Sequence, residues 1–149
     1  MKLFGILILS LFFSNVSIAQ SSPQDITRKF FALYKAGDSD KAIDYIFSNN
    51  PYSNDIAEGI EDVKRQLKKL IGQIGNYYEA DLLGTKTAGA NVILYSFLVR
   101  HDKQPLIFNI MFYKPNEKWQ MQSFKYLSNT SEELEEASKL YRLKENFLL

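Results

Sequence analysis

Apolar side chains change their spacing once along this chain, near Asn76, and the change separates a helix-forming stretch from a strand-forming one. Before it, Ile26, Phe30, Leu33 and Tyr34 line one side of a helix. Ser22-Pro23-Gln24-Asp25 supplies its start: serine caps, proline suits the first helical position, and aspartate favours the positive end of the dipole. Gly37 ends that helix, and Asp38 caps a second that runs to about Phe47 with Ala42, Ile43 and Phe47 inward. A loop through Asn49, Pro51 and Asn54 leads to the most regular helix, in which Ile56, Ile60, Val63, Leu67, Leu70 and Ile74 share one face. Its other face carries Glu61, Lys64, Arg65, Lys68 and Lys69, which reads as a solvated surface with a Glu61–Arg65 pair in preference to a basic binding patch.

After Asn76, aromatic and β-branched residues dominate four segments, 77–87, 90–101, 104–114 and 118–127. Ala88-Gly89, Asp102-Lys103 and Asn116-Glu117 separate them as two-residue turns, which predicts a four-stranded antiparallel meander. Turns of that length place Leu82 opposite Tyr95, Val99 opposite Leu106 and Phe112 opposite Met121. Alternation then gives two faces. One collects Tyr78, Ala80 and Leu82 with Ile93, Tyr95, Phe97 and Val99, then Leu106, Phe108, Ile110, Phe112, Trp119 and Met121; it is almost wholly apolar and must lie against the helices. The other mixes a polar row, Asp81–Ser96–Asn109, with Leu94, Leu98, Ile107, Met111 and Phe124. So many large apolar groups need a cover, either a second copy of the domain or the chain's own C-terminus. That C-terminus, 128–149, predicts an amphipathic helix starting near Thr130, with Glu133 at capping-box spacing, acids first and bases last. Leu134, Ala137, Leu140, Tyr141, Phe147 and Leu148 form its apolar side. The fold class is therefore α+β: N-terminal helices on a curved antiparallel sheet, plus a C-terminal helix.

The first residues belong to none of this. Met1-Lys2, an apolar run from Leu3 to Phe13 and the ending Ser17-Ile18-Ala19 have the layout of a secretory signal peptide cleaved after Ala19. The run is too short for a bilayer that needs roughly 20 apolar residues. Residues 1–19 are thus read as the leader, 20–127 as the domain and 128–149 as the helix beyond it, in a periplasmic or secreted protein with no membrane attachment after cleavage.

Composition then removes chemistry. With no cysteine there are neither disulfides nor thiolate sites, and the single histidine, His101, excludes multi-histidine metal centres. The whole chain carries a net charge of +1, which falls to zero when Lys2 leaves with the leader, so nothing in bulk charge favours nucleic acid or anionic lipid. His101 falls in the expected turn after the second strand, where exposure is the default. Without a histidine on the inward face, no catalytic constellation and no metal or cofactor site is expected. Tyr78, Tyr95 and Trp119 from the sheet, with Tyr34 from the first helix, are the candidate pocket residues.

The order helix, short helix, longer helix, curved meander resembles the nuclear-transport-factor-2-like superfamily of α+β rolls. Phe30-Phe31-Ala32-Leu33-Tyr34-Lys35-Ala36-Gly37-Asp38 is similar to its first helix and turn, and Lys118-Trp119-Gln120-Met121-Gln122-Ser123-Phe124 is similar to its closing strand. The resemblance spans about residues 23–127. It implies a cone-shaped pocket used either for binding or, in isomerases and dehydratases, for acid–base chemistry. Two readings follow. One is an exported non-catalytic domain, dimeric through Leu94, Leu98, Ile107, Met111 and Phe124, taking a small apolar ligand or a protein partner. The other is a small isomerase- or dehydratase-like enzyme, which a helix carboxylate (Asp40 or Asp44) beside Tyr95 would favour.

Overall fold

The computed structural model describes residues 21–146, with side chains through residue 139. The expected leader with its expected cleavage position, and the expected apolar side of the last helix from Leu140 onward, lie outside these.

Helix α1 (Pro23–Lys35) starts on Ser22, whose hydroxyl accepts from Asp25 N while the Asp25 carboxylate reaches back to Ser22 N, so two orphan donors are satisfied reciprocally. Asp38 caps α2 (Ser39–Phe47) by accepting from Lys41 N at 2.9 Å. After one 3₁₀ turn (Ser53–Ile56), α3 (Ala57–Ile74) buries Ile60, Leu67 and Ile74, and Ile56 stays exposed ahead of it. The charged face of α3 is an ion-pair face. Lys64 bonds Asp44 and Glu61, Lys68 bonds Asp40, and Arg65 pairs with Asp62 rather than with Glu61. Asp44 and Asp40 thereby clamp α2 to α3, with exposed pairs of the kind that contribute little individually. They are not beside Tyr95.

Strands β1 (Tyr77–Ala88), β2 (Val92–His101), β3 (Leu106–Tyr113) and β4 (Gln120–Leu127) form one antiparallel sheet in chain order. Val99 faces Leu106 and Phe112 faces Met121, as two-residue turns require. Elsewhere the register departs from simple alternation. Ala88 faces Val92 across a three-residue connection whose Gly89 has φ 59°, a left-handed position that glycine takes without steric cost. Leu83 is an extra residue in β1, and with the longer connection it puts Leu82 opposite Phe97 instead of Tyr95 and Asp81 opposite Leu98 instead of Ser96; Tyr78 is a second extra residue, which puts Tyr77 opposite His101. The expected polar row is therefore broken. Ser96 still donates to Asn109 at 2.7 Å, but Asp81 pairs with Arg100 at 2.9 Å. Gln122 is the extra residue in β4, which turns Phe124 and Tyr126 inward opposite Ile110 and Phe108 and turns Ser123 outward opposite Met111.

The core lies between the helices and one sheet face. Phe30, Phe108, Phe112, Ile43, Ile46, Leu67, Leu106, Ile110 and Met121 are completely enclosed. Phe108 sits at its centre with rings from Phe30, Phe31, Tyr34 and Phe124 around it at centroid distances of 5.3–6.3 Å. Phe124, placed by alternation on the outer face, belongs to this core. Helix α4 (Thr130–Asn146) starts one residue off its expected cap, because Asn129, and not Thr130, reaches its partner acid, Glu132, at 2.7 Å. Residues 131–139 of α4 are exposed throughout, Leu134 by 64 %, so that part of the helix does not cover the sheet. No helix among the described residues is long and apolar enough to cross a membrane.

Candidate functional site

A cleft of about 490 Å³ opens where the C-terminal ends of α1 and α3 meet the start of β1 and the end of β2, and Tyr34, Ile71, Asn76, Tyr77 and His101 line it with Lys35 and Ser39. The extra residue Tyr78 builds one wall, because it brings Tyr77 inward opposite His101. His101 thus closes the inward row begun by Ile93, Tyr95, Phe97 and Val99. It is 7 % exposed, not a surface turn residue.

Its surroundings set its hydrogen bonding. Nδ1 lies 3.0 Å from the Gly75 carbonyl, which can only accept, so Nδ1 carries a proton. In the neutral ring Nε2 is then an acceptor, and the Tyr34 hydroxyl, 3.2 Å away, donates to it. Tyr77 packs edge-on to Tyr34 at 5.1 Å and to His101 at 5.9 Å, holding both rings. Burial, with Tyr77 beside it, pushes the Tyr34 phenol far above its ordinary value of 10.0, so Tyr34 keeps its proton. A raised folded value means full stability below about pH 10 and loss as pH rises above it. Tyr34→Phe is expected to lower stability at pH 7 by about 1–2 kcal/mol, because Nε2 is left buried without a donor, and to soften the alkaline fall. Denaturant midpoints between pH 7 and pH 11 check both.

Asp102 fastens the floor of the cleft. Its carboxylate accepts from Asn76 N at 2.6 Å and from the Tyr78 hydroxyl, and those two bonds, the tyrosine's first, hold it below the usual carboxylate range. Asp102 N and Lys103 N donate to Asn76 O and Ile74 O, so the α3–β1 junction is tied to the β2–β3 turn.

The four expected pocket residues do not converge. Tyr34 is in this cleft. Tyr78 is 57 % exposed outside the cleft lining, with its hydroxyl on Asp102. Trp119 is half-buried against the core at the opposite end of the sheet, with the Lys114 ammonium 5.3 Å from its ring centre. Tyr95 lines a separate hollow of about 230 Å³ with Thr27, Phe31, Leu82 and Phe97. Of the expected interface residues, Leu94, Leu98 and Met111 are half-buried and Ile107 is buried on the outer face, while Phe124 is inside. Among the described residues no group of three or more histidines and carboxylates could hold a metal ion.

Helices on one face of a meander, with a cleft at one end walled by a tyrosine–histidine pair, define a small α+β domain with a packed core. No protein-family model matches this chain, and no curated protein and no solved structure is significantly similar to it.

Proposed function

We propose that this is an exported, non-catalytic binding domain of the nuclear-transport-factor-2-like type, which takes a small ligand and works as a homodimer. The observation that carries the binding reading is the state of His101. Both ring nitrogens are engaged inside the protein, and no carboxylate lines the cleft, so neither a free base nor an acid–base pair faces a substrate. The order of helices and strands supports the family reading, and the leader-like first 19 residues support export. The half-buried apolar column Leu94, Leu98 and Met111 supports a two-fold contact through the outer sheet face.

One test reads all three parts. Protein recovered from cells expressing the full chain is analysed by native mass spectrometry, then denatured. The expected species is a dimer of chains lacking residues 1–19 that releases a small molecule on unfolding. Retention of those residues overturns export, a monomer at high concentration overturns the dimer, and a ligand-free protein that converts an isomerase substrate overturns the binding reading. Met111→Arg is expected to yield a folded monomer, read by light scattering. The enzymatic reading keeps one observation in its favour, the placement of His101 in a cleft beside a hydroxyl. It requires Tyr34 to leave Nε2, and a reaction lost in His101→Asn would establish it.

A further inference from the structure

The hollow beside Tyr95 is separate from the tyrosine–histidine cleft and has a different chemistry. Thr27, Arg28 and Phe31 of α1 form one side, and Leu82, Tyr95 and Phe97 of β1 and β2 form the other. Its polar groups are nearly all spoken for. The Thr27 hydroxyl donates to Pro23 O at 2.6 Å, and the Arg28 guanidinium is held by Asp25 at 2.9 Å. The exceptions are the carboxamide of Gln24, a solvent-exposed residue that also lines the hollow, and the Tyr95 hydroxyl, which is buried and has no hydrogen-bond partner among the described residues, in a side chain only 5 % exposed. A buried donor without an acceptor is as costly as a lost hydrogen bond, so such a group in a native protein calls for an explanation. Burial also pushes this phenol up, so the hydroxyl keeps its proton and donates.

We propose that this hollow binds an uncharged, ring-sized apolar molecule carrying one hydrogen-bond acceptor, and that the Tyr95 hydroxyl donates to that acceptor. Size supports the class. An apolar cavity of roughly 150 Å³ takes a benzene ring, so a hollow of about 230 Å³ has room for a ring with a short substituent. Charge supports it as well. No carboxylate lines the hollow to meet a cation, and its one cation is already paired, so an ion would lose its hydration with no new partner. A neutral carbonyl or ether oxygen needs only the one donor that Tyr95 offers. Leu82, itself 54 % exposed, leaves the mouth accessible from solvent.

The test uses two ligands of nearly equal shape, acetophenone and α-methylstyrene, which differ by a carbonyl oxygen in place of a methylene. Binding to the purified protein is followed by NMR titration, with perturbed resonances assigned to residues. The expected result is that both perturb Leu82 and Phe97, and that Tyr95→Phe weakens acetophenone by about tenfold while leaving α-methylstyrene unchanged or tighter. Leu82→Trp, at a solvent-accessible position, is expected to block both ligands while Tyr34→Phe blocks neither. Absence of binding by both ligands overturns the proposal. So does equal weakening of the two in Tyr95→Phe, and so do perturbations confined to Asn76, Tyr77 and His101, which would move the apolar site to the other cleft.

Discussion

Phe124→Arg is expected to unfold the protein, whereas Met111→Arg, across the ladder from its neighbour Ser123, is expected to leave the fold intact. Plain alternation puts both residues on the outer face of the sheet. They separate because Gln122 is an unopposed residue in β4, after which the strand presents its other side: Ser123 faces Met111, and Phe124 faces Ile110. Phe124 is 8 % exposed, with ring centroids of Phe108, Phe30 and Phe47 at 5.3, 5.6 and 6.3 Å. Removing a ring from such a site costs about 3–5 kcal/mol. A guanidinium in its place adds the burial of a charge among apolar rings, several kcal/mol more. The total reaches the whole stability of a typical domain, about 5–15 kcal/mol. Circular dichroism melts of the two variants decide the matter. A cooperative melt for Phe124→Arg close to that of the parent protein would mean that β4 runs without its bulge and that Phe124 faces outward.

The contrast shows what patterning along the chain resolves. Helix limits were legible because their signals are local: Ser22, Pro23 and Asp25 at one end, Gly37 and Asp38 at the next, and the spacing of Ile60, Leu67 and Ile74 in the third. The places where the chain reverses, around Asp102 and Asn116, were legible for the same reason; the connections, 102–105 and 114–119, are longer than the two-residue turns expected, but the register agrees at Val99 and Phe112. Bulges have a weaker signature. Gly84 marks the one at Leu83, since glycine inside a strand often accompanies a bulge, but Gln122 and Tyr78 carry no mark of composition. Each single-residue insertion reverses the side chains beyond it, so Phe124 and Tyr77 change faces. His101 could have been placed. It has the same parity as Val99, and a two-residue turn at 102–103 makes it the last inward residue of β2. Its assignment to the turn hid the tyrosine–histidine pair that forms the candidate site. The unpaired Tyr95 hydroxyl needed the packing of α1 against β2, which no spacing rule encodes.

Gly75→Ala is expected to destabilise the protein by about 3–4 kcal/mol and to loosen the cleft, because Gly75 combines a forbidden backbone shape with no room for a side chain. At φ 90° and ψ −159° it occupies a region open essentially to glycine alone, and another residue held there costs on the order of 1–3 kcal/mol. A Cβ added to it would also sit 2.8 Å from the Cβ of Asp102, an atom fixed to the backbone that cannot swing away. Asp102 has little freedom to retreat, since its backbone N–H bonds Asn76 O at 3.1 Å and its carboxylate bonds Asn76 N at 2.6 Å. The strain falls on the junction that positions the Gly75 carbonyl for His101 Nδ1, so stability and the site respond together. A double-mutant cycle separates the two causes. In an Asp102→Gly background the clash is gone and only the backbone term remains, so Gly75→Ala is expected to cost less there, about 1–3 kcal/mol. Equal costs in both backgrounds would show that the contact with Asp102 contributes nothing. A negligible cost in the parent protein would mean that residue 75 does not hold the left-handed conformation, and with it the carbonyl that orients His101.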